Sequence, residues 1–231
     1  LLGFEALLRW QHPKQGLLTP DLFLPLAEKT GLIIPIGNWV INEACRQLRE
    51  WHLQGHQSWS MAVNLSTLQF EQPSLVNTVL NCLALHHVPP EMLILEVTET
   101  TAMSNPDESV RVLTELTKAG VKASIDDFGT GYSSLLYLKR LPACELKIDR
   151  AFVKELSGES EDATIVSAIV ALAKTLNLKV VAEGVETEAQ QAFLTELGCN
   201  TLQGYLLGKP VSAQTIEALC ARGEMLPGAG L

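Results

Sequence analysis

Short apolar runs alternate with longer amphipathic stretches along most of the chain, and this alternation restricts the possible folds more than any other feature. Seven runs have the length of strands, and their nearly continuous hydrophobicity is typical of parallel strands that are covered on both faces. These runs are GFEALLRW (3–10), SMAVNLS (60–66), LILEVTE (93–99), KASIDD (122–127), ELKID (145–149), LKVVAEG (178–184) and NTLQGYL (200–206).

Apolar residues at helical spacing predict helices between these strands, over residues 36–53, 74–85, 107–119, 162–176, 188–197 and 213–221. Thr19 and Pro20 predict the N-cap and first residue of an earlier helix. Thr187 and Gln190 have the spacing of a capping box. The alternation predicts an α/β fold, either an open doubly wound sheet or a barrel, and seven strands are one fewer than a (β/α)8 barrel contains.

Composition excludes several classes of function. The 231 residues carry a net charge of −9, which argues against a binder of nucleic-acid polymers or of anionic membranes. The five separated cysteines form no CxxC motif and predict free thiols in the reducing cytoplasm. No apolar run approaches the roughly 20 residues of a transmembrane helix. The final LPGAGL stretch (226–231) predicts a frayed tail.

Each predicted strand carries a polar residue within it or at its end. These residues are Glu5, Asn64, Glu96, Asp126, Lys147, Glu183 and Gln203. Ionised groups are costly to bury unless they are paired or bind metal. The carboxyl ends of parallel strands form one face, so the carboxylates there would repel one another without cations, and Mg²⁺ or Mn²⁺ prefers such oxygen ligands.

The adjacent pair Asp126 and Asp127 fits a site with two ions, because one carboxylate can bridge both ions while its neighbour binds the second. Two ions about 3.5–4 Å apart can clamp the attacking and leaving oxygens of a phosphoryl transfer. A single strand-end acid is equally explained by helix capping, and an isolated Lys147 by a surface lysine. Polar residues in all seven predicted strands favour a shared site.

Seven ordered motifs resemble those of EAL domains, the bacterial phosphodiesterases of cyclic di-GMP. They are EAL (5–7), NLS (64–66), EVTE (96–99), DDFGTGYSS (126–134), LKID (146–149), AEGVE (182–186) and QGY (203–205). The resemblance extends from residue 3 to about residue 212. It implies a TIM-like (β/α)8 barrel with an antiparallel first strand. That strand would precede Gly3, so the resemblance implies that it is missing from this chain.

The resemblance also implies a role for each matching residue. One metal ion would be bound by Glu5, Asn64, Glu96 and Asp126, and the second would be reached by Asp126 and Asp127. Glu183 resembles the acid that holds the attacking water and acts as general base, and Lys147 resembles the lysine beside that water and the scissile phosphate. Substrate contacts are expected from Arg9, Gln203 and Glu186. Glu99 resembles the glutamate that anchors the DDFGTGYSS loop, which leads to a dimer interface in the family.

Three functions are compared. The complete residue set favours hydrolysis of cyclic di-GMP to linear pGpG with two Mg²⁺ or Mn²⁺ ions activating water. The first alternative is a catalytically silent module that only binds cyclic di-GMP. The second is an enolase-like barrel in which a lysine abstracts a carbon-bound proton, but the adjacent aspartates and Asn64 fit two-metal hydrolysis better.

Further expectations concern the setting of the domain and residues with open roles. Residues 1–231 are expected to form one EAL-type domain with a tail at 222–231, as the C-terminal module of a longer signalling protein. A homodimer, upstream regulatory domains and a cytoplasmic location are expected, even where the full-length protein is anchored to a membrane.

His12 is interpreted as a loop residue, Tyr132 as packing the loop, and Trp39 and Trp51 as core or interface. Asp149 and Arg150 fit either a salt bridge or a substrate contact.

Overall fold

The computed structural model describes residues 1–131, 135–156 and 160–222. The interpretations of Tyr132 and of the LPGAGL tail lie outside these residues. Within these residues there are nine strands, β1 Gly3–Ala6, β2 Trp10–His12, β3 Gly16–Leu18, β4 Ser60–Leu65, β5 Leu93–Thr98, β6 Lys122–Phe128, β7 Glu145–Ile148, β8 Lys179–Ala182 and β9 Thr201–Leu202. All seven predicted strands are therefore confirmed within the described part of the chain.

The described helices include the six that helical spacing predicts. They are α1 Pro20–Lys29, α2 Ile33–Leu53, α3 Thr67–Phe70, α4 Leu75–His86, α5 Glu99–Ser104, α6 Pro106–Lys118, α7 Leu135–Leu138, α8 Arg150–Lys154, α9 Glu161–Thr175, α10 Glu188–Leu197 and α11 Ala213–Ala221, with a short 3-10 helix at Pro90–Met92. Thr19 is the N-cap of α1, and Thr187 and Gln190 form the predicted capping box of α10. Helices α3, α5, α7 and α8 have four to six residues, too few to show a helical period in the sequence.

The predicted α/β class is confirmed. Seven strands form one sheet in the order β1-β4-β5-β6-β7-β8-β9. The pairs β1–β4, β4–β5, β6–β7, β7–β8 and β8–β9 are all parallel. Each parallel strand is followed by helical structure before the next one, which is the connection that parallel pairing requires.

The chain divides into two compact units, each with its own buried side chains. The first comprises residues 1–97 and 104–123, and the second comprises residues 98–103 and those from 124 onward. In the first unit, Ile41, Leu48 and Val63 have no exposed surface. In the second, the same is true of Leu146 and Leu194. Each such side chain contributes about 1.5–3 kcal/mol to stability by leaving water.

The first predicted strand is wrong in its length. Strand β1 ends at Ala6, and Trp10 belongs to an antiparallel hairpin in which β2 pairs with β3. The apolar run hides this break because Leu7 and Leu8 continue the hydrophobic pattern. His12, interpreted as a loop residue, is the last residue of β2, where its Nδ1 accepts hydrogen bonds from two following backbone N–H groups at 3.1 Å.

The two tryptophans of α2 differ in environment. Trp51 is buried and its ring lies 4.7 Å from Phe4 and 5.5 Å from Trp59, so it belongs to the core of the first unit. Trp39 is 56% exposed and is not a core residue. Among the described helices, none combines the length and the apolar character that crossing a membrane requires.

Candidate active site

In the first unit, three of the predicted site residues lie on one face of the sheet. Asn64 of β4 pairs with Glu96 of β5, and Glu5 of β1 pairs with Ala62, two residues before Asn64. Because side chains alternate with a period of two, Glu5, Asn64 and Glu96 share a face. Asn64 Nδ2 donates a hydrogen bond of 2.6 Å to Glu5 Oε1.

The three residues differ in exposure. Glu96 is buried at 3% exposure, whereas Asn64 is exposed and Glu5 is half-buried. Arg9, in the same unit, is half-buried, and its Nη1 donates to the carbonyl oxygen of Leu8 at 2.8 Å. The first unit therefore places two carboxylates and an amide on one face, with the oxygen donors that a hard divalent cation prefers.

In the second unit, Lys147 forms the centre of a buried charged cluster. Its side chain is almost fully buried, and Nζ lies 2.5 Å from Glu183 Oε1 and 3.4 Å from Asp126 Oδ1. Register explains the convergence, since Ser124 pairs with Glu145 and Lys147 pairs with Val181. Asp126 lies two residues after Ser124, and Lys147 lies two residues after Glu145, the partner of Ser124. Glu183 lies two residues after Val181, the partner of Lys147. Because side chains alternate with a period of two, all three side chains share a face.

Asp127 owes its orientation to an irregularity in β6. Between Ile125 and Phe128 the strand has one residue more than the partner segment from Leu146 to Ile148, which is a β-bulge. Asp127 adopts a left-handed φ of 54°, and its backbone N–H donates to Asp126 Oδ1 at 2.9 Å. The bulge therefore breaks the alternation that would otherwise turn adjacent carboxylates to opposite faces.

The electrostatics at Asp127 favour a cation. Burial, the adjacent charge of Asp126 and the neighbouring Asp149 raise the pKa of Asp127 to about 6, although Lys147 acts in the opposite direction. Asp149 is the N-cap of α8, where Oδ1 accepts from Ala151 N at 2.7 Å. Its position beside Asp127 was not predicted; the signal available in the sequence was an aspartate directly before a short helix.

The donor set fits hard divalent cations in its chemistry. Carboxylate and amide oxygens are the ligands of Mg²⁺ and Mn²⁺, and a bound cation would lower the raised pKa of Asp127. Across residues 1–131, 135–156 and 160–222, no three His, Cys, Asp or Glu side chains lie in a group that could hold a metal ion as they stand. The predicted ligands thus comprise Glu5, Asn64 and Glu96 in the first unit and Asp126 and Asp127 in the second.

Glu99 connects α5 to the glycine-rich segment after β6. The side chain is buried, and Oε2 accepts a hydrogen bond of 2.9 Å from Gly129 N. A β-carbon on Gly131 would lie 2.8 Å from Glu99 Oε1, so a larger residue there would displace this carboxylate. The carboxylate is therefore in contact with the described part of the DDFGTGYSS loop.

The remaining predicted residues lie around β8 and β9. Gln203 follows β9, with its N–H donating to Ala182 O at 2.9 Å and its carbonyl accepting from Val185 N at 3.0 Å. Glu186 is exposed and precedes α10, away from the ion pairs of Lys147.

Comparison with known proteins gives the family. The EAL domain matches residues 1–210. The bifunctional diguanylate cyclase/cyclic di-GMP phosphodiesterase MucR of Pseudomonas aeruginosa is 64% identical over 221 residues, which are 96% of this chain and 32% of that protein. The cyclic di-GMP phosphodiesterase NbdA of the same organism is 48% identical over 213 residues, 92% of this chain and 27% of that protein. The chain thus spans about a third or less of the length of these curated relatives.

Solved structures agree with the family match. A PaMucR phosphodiesterase in complex with c-di-GMP shares 65% sequence identity with a TM-score of 0.91, covering 94% of this chain and 87% of that one. The FimX EAL domain from Pseudomonas aeruginosa, bound to c-di-GMP, shares 28% identity with a TM-score of 0.82, covering 89% and 82% of the two chains. Because the family match spans residues 1–210 and both sequence and fold agree over nearly all of the chain, this chain belongs to the EAL domain family.

Proposed function

We propose that this chain is a metal-dependent phosphodiesterase that hydrolyses one 3′,5′-phosphodiester bond of cyclic di-GMP and releases linear pGpG. The observation that carries the proposal is the buried cluster of Asp126, Lys147 and Glu183. Lys147 Nζ lies 3.4 Å from Asp126 Oδ1 and 2.5 Å from Glu183 Oε1. The identity of 64% with MucR, a protein named as a cyclic di-GMP phosphodiesterase, supports it.

The proposed metal ligands are those that the family resemblance implies. Glu5, Asn64, Glu96 and Asp126 would hold one Mg²⁺ or Mn²⁺, and Asp126 and Asp127 would hold the second. When bound, such ions lower the pKa of water and offset charge on phosphoryl oxygens. The oxygen-only donor set supports this choice of metal over zinc, which favours nitrogen and sulfur ligands.

Glu183 is proposed as the general base and Lys147 as the group that offsets negative charge. Lys147 Nζ lies 2.5 Å from Glu183 Oε1 and so provides a positive charge directly beside the proposed base. Water attacks phosphorus, its proton passes to Glu183, and the bond from phosphorus to the 3′ oxygen breaks. The 3′ oxygen takes up a proton from solvent and leaves as a hydroxyl group, and Glu183 returns its proton to solvent. Lys147 stabilises the negative charge that develops on the phosphoryl group.

Substrate contacts are proposed for Arg9, Gln203 and Glu186. Arg9 carries a permanent positive charge suited to a phosphate, and a guanidinium can bind it in a bidentate manner. Gln203 lies at the end of β9, one strand from the strand that precedes Glu183. Glu186 has the weakest support, because its exposed side chain lies at the start of α10.

The finer architecture is part of the proposal. A TIM-like (β/α)8 barrel with an antiparallel first strand is supported by the TM-score of 0.91 with the PaMucR phosphodiesterase. Regulatory domains elsewhere in a longer signalling protein are supported by relatives of which the chain covers 27–32%. Leu135 and Leu136 of α7, 58% and 68% exposed, support a homodimer. Five free cysteines support a cytoplasmic location.

Turnover of cyclic di-GMP with added Mg²⁺ or Mn²⁺, and again after chelation, tests the proposed function. Metal-dependent appearance of pGpG is the expected result. Binding of cyclic di-GMP without product, with either metal present, would contradict the enzyme and support the binding module instead.

Metal affinity is expected to weaken as the pH falls below about 6. The pKa of Asp127 is raised to about 6 in the metal-free protein, so a proton competes with the cation at lower pH. The affinity should fall by up to about tenfold per pH unit below that value, the limit for one competing proton. Mn²⁺ titrations between pH 5 and 8 measure the effect, with Asp127→Asn as the variant that removes it. An affinity of wild type that is constant from pH 5 to 7 would contradict this role.

The same shift predicts how the stability of the metal-free protein depends on pH. A carboxyl group whose folded-state pKa is raised opposes folding once the pH exceeds its unfolded value. Asp127 should therefore lower the free energy of unfolding as the pH rises from 3.8 to about 6, and saturating Mg²⁺ should reverse this loss. Urea denaturation of wild type and Asp127→Asn across this range measures the difference. Identical pH dependence in the two proteins would argue against it.

Replacement of Glu99 by alanine is expected to lower both turnover and stability, because it leaves the Gly129 N–H without its acceptor. A hydrogen bond to a charged group contributes about 1.5–3 kcal/mol. Glu99→Gln keeps an oxygen acceptor of similar reach and should lose less. Hydrogen exchange at Gly129 and kcat measure the two effects. Unchanged turnover and metal dependence in Glu99→Ala would contradict an anchoring role.

A further inference from the structure

Gln190, near the start of α10, forms side-chain hydrogen bonds with two other segments of the second unit. Its Oε1 accepts from the backbone N–H groups of Glu186 and Thr187 at 2.8 and 2.9 Å. Its Nε2 donates to the carbonyl oxygens of Val153 and Lys154 at 2.9 and 3.2 Å. The side chain is 5% exposed, and both N–H donors and both lone pairs of the amide oxygen are used.

The two halves of this amide do different things. The oxygen completes the capping box of α10, which either glutamine or glutamate can do. The amide nitrogen donates to the last carbonyl groups of α8, of which Val153 O also accepts from Leu156 N at 3.2 Å. Capping α10 does not require the second pair of bonds, so the link to α8 is a separate feature.

The segment that Gln190 holds begins with the proposed general base. Glu183 N donates to Ile148 O at 3.2 Å, which fixes the start of this segment to the strand of Lys147. The next residue, Gly184, has a φ of 71°, and a β-carbon there would lie 2.6 Å from Arg150 Cβ. The segment therefore rests directly on the first turn of α8, and Gln190 ties its far end to the last turn of the same helix.

Helix α8 is in turn placed by the strand that carries Lys147. Its N-cap Asp149 follows Ile148, the last residue of β7. A shift of α8 against the segment 183–187 would change the 2.5 Å contact between Lys147 Nζ and Glu183 Oε1. The side chain of Gln190 forms hydrogen bonds to both.

We infer that Gln190 is a positioning residue for catalysis, which holds the segment of Glu183 against α8 and so keeps Glu183 at its distance from Lys147. This inference rests on the proposed function, in which Glu183 accepts the proton of water. Gln190 acts through these backbone bonds and touches neither the substrate nor the reacting atoms.

Gln190→Glu separates the two halves of the amide. The carboxylate keeps the acceptor for Glu186 and Thr187 but cannot donate to Val153 and Lys154. Gln191→Glu is the matched control, since it makes the same change at the next position of the same helix, where no side-chain bond to α8 occurs among the described residues. Loss of an outer partner of a metal ligand typically costs 10–100-fold in metal affinity or activity, and we expect a comparable loss when a proposed general base is no longer held in place.

For Gln190→Glu we expect kcat to fall about 10–100-fold with KM within threefold of wild type. We also expect faster hydrogen exchange that is confined to residues 149–156 and 183–187. Gln191→Glu should change neither kcat nor hydrogen exchange. A kcat within twofold of that of Gln191→Glu would overturn the inference, as would exchange that rises throughout the domain. If wild type itself makes no pGpG with either metal, the proposed function fails, whereas the exchange experiment still decides whether Gln190 holds the segment.

Discussion

Replacement of Asp126 by asparagine is expected to reduce turnover of cyclic di-GMP by at least about 10²-fold while the fold survives. Removal of an outer partner of a metal ligand already costs 10–100-fold, and a ligand proposed to bridge two ions should cost more. The amide has the shape of the carboxylate but carries no charge, so the packing around this buried side chain is preserved.

Asp162→Asn is the control for this experiment. Asp162 lies in the first turn of α9 in the same unit, outside the cluster of Lys147, and its loss should cost a few tenths of a kcal/mol through the helix dipole. Steady-state turnover, Mn²⁺ titration and thermal unfolding are measured on both variants. Asp126→Asn should bind Mn²⁺ more weakly and still unfold in one cooperative transition, with a smaller loss of stability than Lys147→Met because Glu183 remains 2.5 Å from Lys147 Nζ. Retained turnover would contradict the two-metal assignment.

Replacement of Lys147 by methionine is expected to destabilise the metal-free protein by about 3–5 kcal/mol, the usual cost of removing one partner from a buried ion pair. Methionine fills a similar volume, so the loss comes from the charge. Asp126 and Glu183 would then lack the ammonium group, whose Nζ now lies 3.4 Å from Asp126 Oδ1 and 2.5 Å from Glu183 Oε1.

The pH dependence identifies the cause. Without Lys147 the repulsion between Asp126 and Glu183 is no longer compensated, and protonation of either carboxyl group relieves it. Because this relief requires a proton, the destabilisation should be larger at pH 7 than at pH 5. Added Mg²⁺ should recover part of it by supplying positive charge.

Urea denaturation at both pH values, with chelator or Mg²⁺, measures this effect, and turnover is expected to be lost in parallel. Lys154→Met is the control, since Lys154 is an exposed lysine in the same unit. Equal destabilisation at pH 5 and pH 7 would contradict an electrostatic origin and indicate that the lysine contributes only packing.

Local patterns sufficed for much of the fold. Helices α10 and α11 have the predicted bounds, and the capping box of Thr187 and Gln190 was correctly predicted from three-residue spacing. The apolar runs located all seven strands of the sheet, because burial on both faces leaves a continuous hydrophobic signal. The same signal concealed the end of β1, since the residues after Ala6 remain apolar although the chain leaves the sheet.

The residue pattern alone points to the side chains proposed to carry the chemistry, because polar residues interrupt apolar strands and the motifs are those of the EAL domain. The contacts of these side chains depend on the folded chain. The bulge that turns Asp127, the burial of Lys147 between two acids, and the four bonds of Gln190 depend on strand register and on contacts between distant segments. Sequence periodicity indicates only on which face of its helix or strand a residue lies. The residues that this face contacts are determined when the helices and strands pack together.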